Sequence, residues 1–265
     1  MRRAPPLPLV GVLLLIALAL GASWVSPGDP LAGSADALLP PGSAGHLLGT
    51  DDLGRDMLAM LIHGSRVSLA VGLASSGVSL LLGVLAGATA GWLGGWADAV
   101  VMRISEFFQT LPRFVLALIV IAIAGPGIGK VILVIAVLGW PQTARVVRAE
   151  ISALRGAAFV DAARLGGMPA PLIVLREVLP QIAAPVLVLA ALDVATAILL
   201  EAGLGFFGLG DPNLASWGAM LNEAQQYLRS AWWMSVFPGL AIGITVLLFN
   251  ALGDRAAAAL DPRGA

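Results

Sequence analysis

The sequence contains no cysteine, only two histidines and a single tyrosine. The absence of cysteine excludes disulfide bonds, thiolate metal sites and cysteine nucleophiles, and two histidines are too few for a conventional histidine metal site within this chain. Charge is also scarce, since Asp, Glu, Lys and Arg make up 12% of the 265 residues, whereas soluble domains carry about 25%. The net charge of −1 provides no basic field for a nucleic acid.

Hydrophobic residues, by contrast, make up 58% of the chain and gather in long runs. A transmembrane helix needs about 20 mainly apolar residues. Six segments meet this requirement: 7–25, 67–93, 99–124, 131–147, 182–205 and 231–252. The sequence therefore predicts an all-α membrane protein with six transmembrane helices, and Pro112 predicts a kink in the third.

The first apolar run also has the features of a signal peptide. Arg2 and Arg3 precede it, and small residues follow at 21–23. Five further runs favour the other interpretation, a multi-pass protein whose first helix is retained. We expect one domain, 1–265, made of a first helix with an external loop (1–66) and a set of core helices (67–255).

Basic residues divide unevenly between the two sides that six helices define. One side carries nine arginines: Arg2, Arg3, Arg145, Arg148, Arg155, Arg164, Arg176, Arg255 and Arg263. The other side carries four basic residues: Arg55, Arg66, Lys130 and Arg229. Because cytoplasmic loops are enriched in Lys and Arg, we expect both termini and the segment 148–180 to be cytoplasmic.

The loop between the first two runs, about 26–66, is the largest external segment. Within it, residues 56–63 have the pattern of a short amphipathic helix lying at the membrane interface. A lid packed on the helix bundle is the simpler interpretation of this loop, and a substrate site is the alternative.

Four glycines recur at every fourth position: Gly83, Gly87, Gly91 and Gly95. On a helix they form one smooth stripe, which is the spacing that lets two helix backbones approach closely in a membrane. The sequence therefore predicts helix packing along this stripe, either within the chain or against another subunit.

Two carboxylates, Asp193 and Glu201, fall inside the fifth apolar run. An acid in a membrane helix is energetically costly and indicates a functional site, here the path of a transported substrate. The alternative is a structural ion pair with Arg103 or Arg113 of the third run. Arg103 also has a nearer candidate partner in Glu106, three residues further along the same helix.

Two glycine patterns superficially resemble nucleotide-binding motifs, and neither satisfies the requirements. Residues 203–208 fit G-x-G-x-x-G, but they follow an apolar helix rather than a strand. Residues 125–130 lack the first glycine and the hydroxyl residue of a phosphate loop. No nucleophile–base arrangement is present either. We expect no catalytic residue, no metal site and no cofactor on this chain, so any ATP hydrolysis belongs to another subunit.

The polar segment 161–180 contains a recognisable sequence motif: Asp161-Ala162-Ala163, then Gly167, then Leu179-Pro180. Gly167 is suited to end a short helix, and Pro180 to begin the next one. The segment resembles the EAA loop of ABC-importer permeases, with aspartate in place of the usual glutamate. That resemblance implies contact with an ATPase through seven residues: Asp161, Ala162, Ala163, Arg164, Gly167, Leu179 and Pro180.

Most of the remaining chain is similar to the second permease subunit of the dipeptide/oligopeptide/nickel transport family. The matching pieces are 46–56, 65–69, 91–98, Met102-Arg103, Trp140-Pro141, 144–148, 206–210, 216–221, 237–240, Phe249-Asn250 and 260–263. They occur in family order, which makes the set specific.

This resemblance implies a multi-pass importer-type permease in the cytoplasmic (inner) membrane of a bacterium or archaeon, in contact with membrane lipid. The implied partners are a homologous second permease, two P-loop ATPases that bind ATP and Mg, and an extracytoplasmic substrate-binding protein. Di- or oligopeptides are the favoured substrates, and nickel or a metal chelate is the alternative. An ion-coupled secondary transporter that uses Asp193 and Glu201 is the competing class.

Overall fold

The computed structural model describes residues 7–43 and 45–260. In these ranges the chain is helical and contains no β-strand, only two isolated bridges in the loop before Met57. The helices are α1 (Leu7–Leu20), α2 (Ala22–Val25), α3 (Met57–Leu93), α4 (Gly95–Thr110), α5 (Arg113–Ala124), α6 (Ile128–Leu154), α7 (Ala158–Leu165), α8 (Ala170–Ile173), α9 (Ala183–Phe206), α10 (Trp217–Ala224) and α11 (Trp233–Leu260). A π-helical turn (Val174–Val178) continues α8, and a 3-10 turn (Gln225–Tyr227) continues α10.

Four helices, α3, α6, α9 and α11, are long and apolar enough to cross a membrane. A fifth crossing arises if α4 and α5 are counted together, and α1 is a shorter apolar helix of 14 residues. The kink predicted at Pro112 is a break, because α4 and α5 meet at 85°. Leu111, the residue before the proline, is extended (φ −90°, ψ 138°), as the ring of a following proline favours.

Helix α3 has 37 residues and is about 55 Å long, well beyond the thickness of a hydrocarbon core. It absorbs the separate interfacial helix predicted at 56–63, and that prediction was wrong. No proline interrupts residues 57–93, so nothing stops the turn begun there. Asp56 caps its first turn, since the Oδ1 atom accepts the Ala59 N–H at 2.8 Å.

The core of the bundle lies where α3 meets α6 and α9, and α11 packs against α9. One apolar cluster joins α1, α3, α9, α10 and α11, with Trp217 among its most buried side chains. A second joins α5, α6 and α9 around Ile121 and Leu204. A third covers the start of α7 and the end of α6 around Val160 and Ile151.

The glycine stripe of α3 faces α6. A Cβ atom would lie 2.5 Å from Thr143 Cβ at Gly83, 2.5 Å from the Ala144 carbonyl oxygen at Gly87, and 2.8 Å from the Arg148 carbonyl oxygen at Gly91. Three successive turns of α3 thus approach α6 at distances that no side chain permits. The fourth glycine, Gly95, lies beyond the end of α3 with φ 54° and open space around it.

The glycines at 203–208 serve packing as well. A Cβ on Gly205 would lie 2.8 Å from the backbone of Gly218, so α9 and α10 cross almost in backbone contact. A Cβ on Gly203 would meet the Phe114 ring at 2.7 Å. The pattern that resembles a nucleotide motif is here a helix-crossing surface.

Candidate coupling segment and translocation path

Helix α7 ends in a Schellman motif formed by its own glycine. Gly167 has φ 77°, a left-handed conformation that a residue without Cβ adopts freely. Its N–H donates to the Arg164 carbonyl at 3.0 Å, and the Met168 N–H donates to the Ala163 carbonyl at 3.1 Å. These two bonds stop the helix where the sequence predicts that it stops.

Within residues 7–43 and 45–260, no other part of the chain covers the outer face of α7. Asp161, Ala162 and Arg164 are exposed, and Leu165 keeps 91% of its surface accessible. The inner face is held by Val160, which is fully buried against the ends of α6 and α8. Leu165 directly follows Arg164, so the exposed face of α7 carries both charge and apolar surface.

Two contacts fix Arg164 at this surface. Its Nη1 lies 3.1 Å from Asp161 Oδ1, one turn earlier on α7. Its guanidinium also stacks over the Trp92 ring, 5.2 Å from the ring centroid, at the far end of α3. Cation–π contacts of this kind stabilise by about 0.5–1 kcal/mol at exposed sites, so α7 is attached to α3 without being locked to it.

The second half of the segment turns the chain back toward the bundle. Pro169 is the N-cap of α8, which ends in the π-helical turn. Leu179 and Pro180 lie in the following turn, and α9 begins only at Ala183. Pro180 therefore precedes the next helix rather than forming its first turn.

One ion pair beside the segment was not predicted from the sequence. Arg148 on α6 donates through Nε to Asp98 Oδ1 at 2.8 Å, and its Nη2 donates to Asp98 Oδ2. This pair of bonds holds the start of α4 against the C-terminal half of α6. Fifty residues separate the two side chains, and charge counting alone could not find their pairing.

Asp193 lies inside the bundle with 9% of its surface exposed. The Thr143 hydroxyl donates to its Oδ2 at 3.3 Å. Arg113 lines the same small cavity, but within residues 7–43 and 45–260 no arginine approaches Asp193 within the 4 Å of an ion pair. Arg103 is instead paired with Glu106 at 3.6 Å, on an exposed face of α4.

Glu201, with 4% exposure, occupies a second polar position on α9. The Ser68 hydroxyl donates to its Oε2 at 2.9 Å, and Ser216 lies close to it. The eight residues that separate the two acids span about 12 Å of helix. The structure therefore places both carboxylates against α3, but at two different depths.

The loop 26–56, at the opposite end of α3, is held by polar bonds. Arg55 is 6% exposed and donates through Nε to Asp51 and through Nη2 to Glu223, both at 2.5 Å. Burial raises the pKa of Glu223, although the hydrogen bond from Arg55 acts in the opposite direction. Trp233 Nε1 donates to the Thr50 carbonyl at 2.9 Å. The loop is thereby fastened to α10 and α11.

Neither region has the groups that a resident metal requires. In the described part of the chain, no cluster of three or more His, Asp or Glu side chains could hold a metal ion.

A helical bundle with several helices long and apolar enough to cross a bilayer is the architecture of a multi-pass membrane protein. The sequence matches the family described as "Binding-protein-dependent transport system inner membrane component" over residues 80–264. The chain belongs to this family. It is a non-catalytic, multi-pass permease subunit of an inner-membrane transport system.

Among similar proteins, the di/tripeptide transport system permease protein DppC of Pseudomonas aeruginosa is 41% identical over 262 residues, which cover 96% of this chain and 86% of the relative. The dipeptide transport system permease protein DppC of Escherichia coli K12 is also 41% identical, with 96% and 87% covered. The glutathione transport system permease protein GsiD of Pectobacterium atrosepticum is 39% identical over 254 residues, with 95% and 84% covered.

The fold has a counterpart among solved structures. A chain of the MetNI methionine ABC transporter, in an inward-facing conformation, superposes with a TM-score of 0.63 at 21% identity. The match covers 77% of this chain and 98% of that chain. At this identity the likeness concerns the fold, which is that of an ABC-importer permease.

Proposed function

We propose that this chain is one of two permeases in an ABC importer for di- or oligopeptides. The observation that carries the coupling role is the uncovered surface of α7, held at its base by Val160 and ended by Gly167. The choice of substrate is supported by relatives of about 40% identity, which are permeases for dipeptides, tripeptides and glutathione.

The proposed topology has six crossings with both termini in the cytoplasm. In support, the loop before Met57 and the helix α7 lie at opposite ends of the long helix α3. If α1 and the broken pair α4–α5 are counted as crossings, the arginine-rich segments all lie on the same side of the membrane. This side would face the ATPases, and the loop 26–56 would face the binding protein.

The proposed mechanism uses α7 as a lever. Two partner ATPases bind ATP and Mg, close, and push the segment 161–180, so that the helices of two homologous permeases change from outward-open to inward-open. The seven residues matched to the EAA loop would form the contact. Asp161 and Arg164 offer charge, and Leu165 offers apolar surface. Gly167 sets the angle at which the chain leaves α7.

The proposed path for substrate runs beside α9, where Asp193 and Glu201 are the buried acids. Asp193 adjoins a cavity that Arg113 also lines, whereas Glu201 is bonded to Ser68. We assign the closer substrate role to Asp193. Nickel or a chelate stays the alternative cargo, and uptake assays with radiolabelled dialanine and with ⁶³Ni²⁺ separate the two.

The decisive test replaces Gly167 by valine in the intact importer. A Cβ-branched residue resists φ 77°, so the chain should leave α7 at another angle. ATP hydrolysis is expected to continue while uptake falls at least tenfold. Gly156→Val is the matched control, because Gly156 has an ordinary φ and open space for a Cβ. Normal coupled uptake in Gly167→Val would sink the assignment.

A further inference from the structure

A small cavity lies between α3, α6 and α9 at the depth of Asp193. Ser75 and Ser79, one turn apart on α3, both line it. Their hydroxyl groups are buried, with residue exposures of 0% and 3%, and neither has a hydrogen-bond partner. Two orphan hydroxyls beside a buried carboxylate are energetically unfavourable unless something occupies the space between them.

The other hydroxyls that line this cavity do have partners. Ser76 lines it too, but its hydroxyl donates to the Ala190 carbonyl at 3.2 Å, and Thr196 donates to the Leu192 carbonyl at 2.9 Å. Two turns earlier on α3, the Ser68 hydroxyl donates to Glu201. Of the hydroxyls that line the cavity, those of Ser75 and Ser79 are left for a ligand.

The space is of a defined size. The room open to the centre of a water-sized molecule is about 10 Å³, which corresponds to roughly one such molecule. An –NH₃⁺ group has nearly the dimensions of water.

The charge in the cavity points to a cation. Asp193 is a carboxylate with 9% exposure, and one of its oxygens accepts only the hydroxyl of Thr143. Arg113, on the rim, is near enough to act on it electrostatically, but its Nη2 donates to Gln142 at 3.2 Å instead. A buried carboxylate without a direct cationic partner attracts one.

We propose that Asp193, Ser75 and Ser79 form a binding site for a single primary ammonium group on the translocation path. The group has three N–H donors, and the site offers three acceptors: a carboxylate oxygen and two hydroxyl oxygens. Since the site is inside the proposed peptide path, the ammonium is the amino terminus of the transported peptide. This last step rests on the proposed function.

Binding is tested first on the full importer in lipid nanodiscs without its binding protein. Methylammonium chloride is expected to raise the melting temperature at constant ionic strength, and tetramethylammonium, which has the charge but no N–H, is not. Asp193→Asn and the double variant Ser75→Ala/Ser79→Ala should each lose the shift. Ser105→Ala is the matched control, because Ser105 is equally buried and unpartnered but does not line the cavity.

Equal shifts with tetramethylammonium, or an unchanged shift in Asp193→Asn, would overturn the site and leave at most a bound water. An equal shift with sodium chloride that disappears in the variants would identify a free-cation site and overturn the assignment to a peptide terminus. Because this assay measures binding to the permease itself, a failure here does not depend on whether the importer carries peptides.

The source of the ammonium is tested next with dialanine and N-acetyl-dialanine as probes of the same complex. Wild type is expected to bind dialanine at least tenfold more tightly than N-acetyl-dialanine, and Asp193→Asn should abolish that preference. Equal binding of both probes would overturn the terminus assignment. If wild type takes up no peptide in cells while methylammonium still binds, the proposed substrate fails and the ammonium site stands.

Discussion

The two ends of α3 are held by different forces. At its start, charged and polar side chains connect the loop 26–56 to α10 and α11, with Arg55 at the centre. Toward its end, bare backbone lies against α6 at Gly83, Gly87 and Gly91, and the segment beyond is attached chiefly by Val160 and Arg164. The first end is thus fixed by directional bonds, whereas the other end combines a closely packed helix pair with the lightly attached helix α7. Such an attachment suits the coupling role proposed for α7, because few bonds have to break when the helix moves.

The largest effect is expected from removing Arg55, which tests whether directional bonds hold the start of α3. Arg55→Ala leaves the buried carboxylate of Asp51 without its cationic partner, and truncating one member of a buried pair costs about 3–5 kcal/mol. We expect a large fall in melting temperature of the purified subunit in detergent. Arg103→Ala is the control, since its pair with Glu106 is exposed and contributes at most about 1 kcal/mol.

The glycine contact is tested by the smallest possible change. Gly87→Ala places a methyl group 2.5 Å from the Ala144 carbonyl oxygen, which forces α3 and α6 apart and should cost about 1–3 kcal/mol. Gly77→Ala, on the same helix but with open space around it, should be neutral or stabilising. Equal stability of the two variants in a detergent unfolding titration would contradict close packing along the stripe.

The weakest of these contacts should have the smallest effect. Trp92→Leu removes the ring under Arg164, and a loss of about 0.5–1 kcal/mol corresponds to a two- to fivefold increase in the opening of α7. Limited proteolysis within residues 156–167 measures that opening. Trp96→Leu provides the control, because Trp96 is 81% exposed. No change in cleavage rate would mean that α7 is held by Val160 alone.

The sequence contained enough to find the helices, the short helix that ends at Gly167, and the local pair of Arg103 with Glu106, because these depend on neighbours within a few residues. No proline separates residues 56–63 from the rest of α3, so the continuous helix could also have been predicted. The contact of α3 with Trp217, whose Nε1 donates to the Leu61 carbonyl from 156 residues further along the chain, could not. The 85° angle between α4 and α5 at Pro112 is larger than the predicted kink.

The candidate site was predicted less completely than the fold. Asp193 is conspicuous as an acid in an apolar run, but Ser75 and Ser79 carry no comparable signal, because serine is common in membrane helices and usually bonds its own backbone. Their orphan state emerges only when α6 and α9 are packed around them. In the same way, Arg148 was counted for topology, while its partner Asp98 became visible only in three dimensions.

The glycine stripe has a consequence for biogenesis. The stripe on α3 is synthesised before its partner, because α6 ends roughly 60 residues after Leu93. At bacterial rates of about 5–20 residues per second, this groove is bare for several seconds while α4 and α5 are made. During that interval lipid tails or another nascent helix can occupy it, so the order in which helices leave the insertion machinery becomes part of how the subunit reaches its native packing.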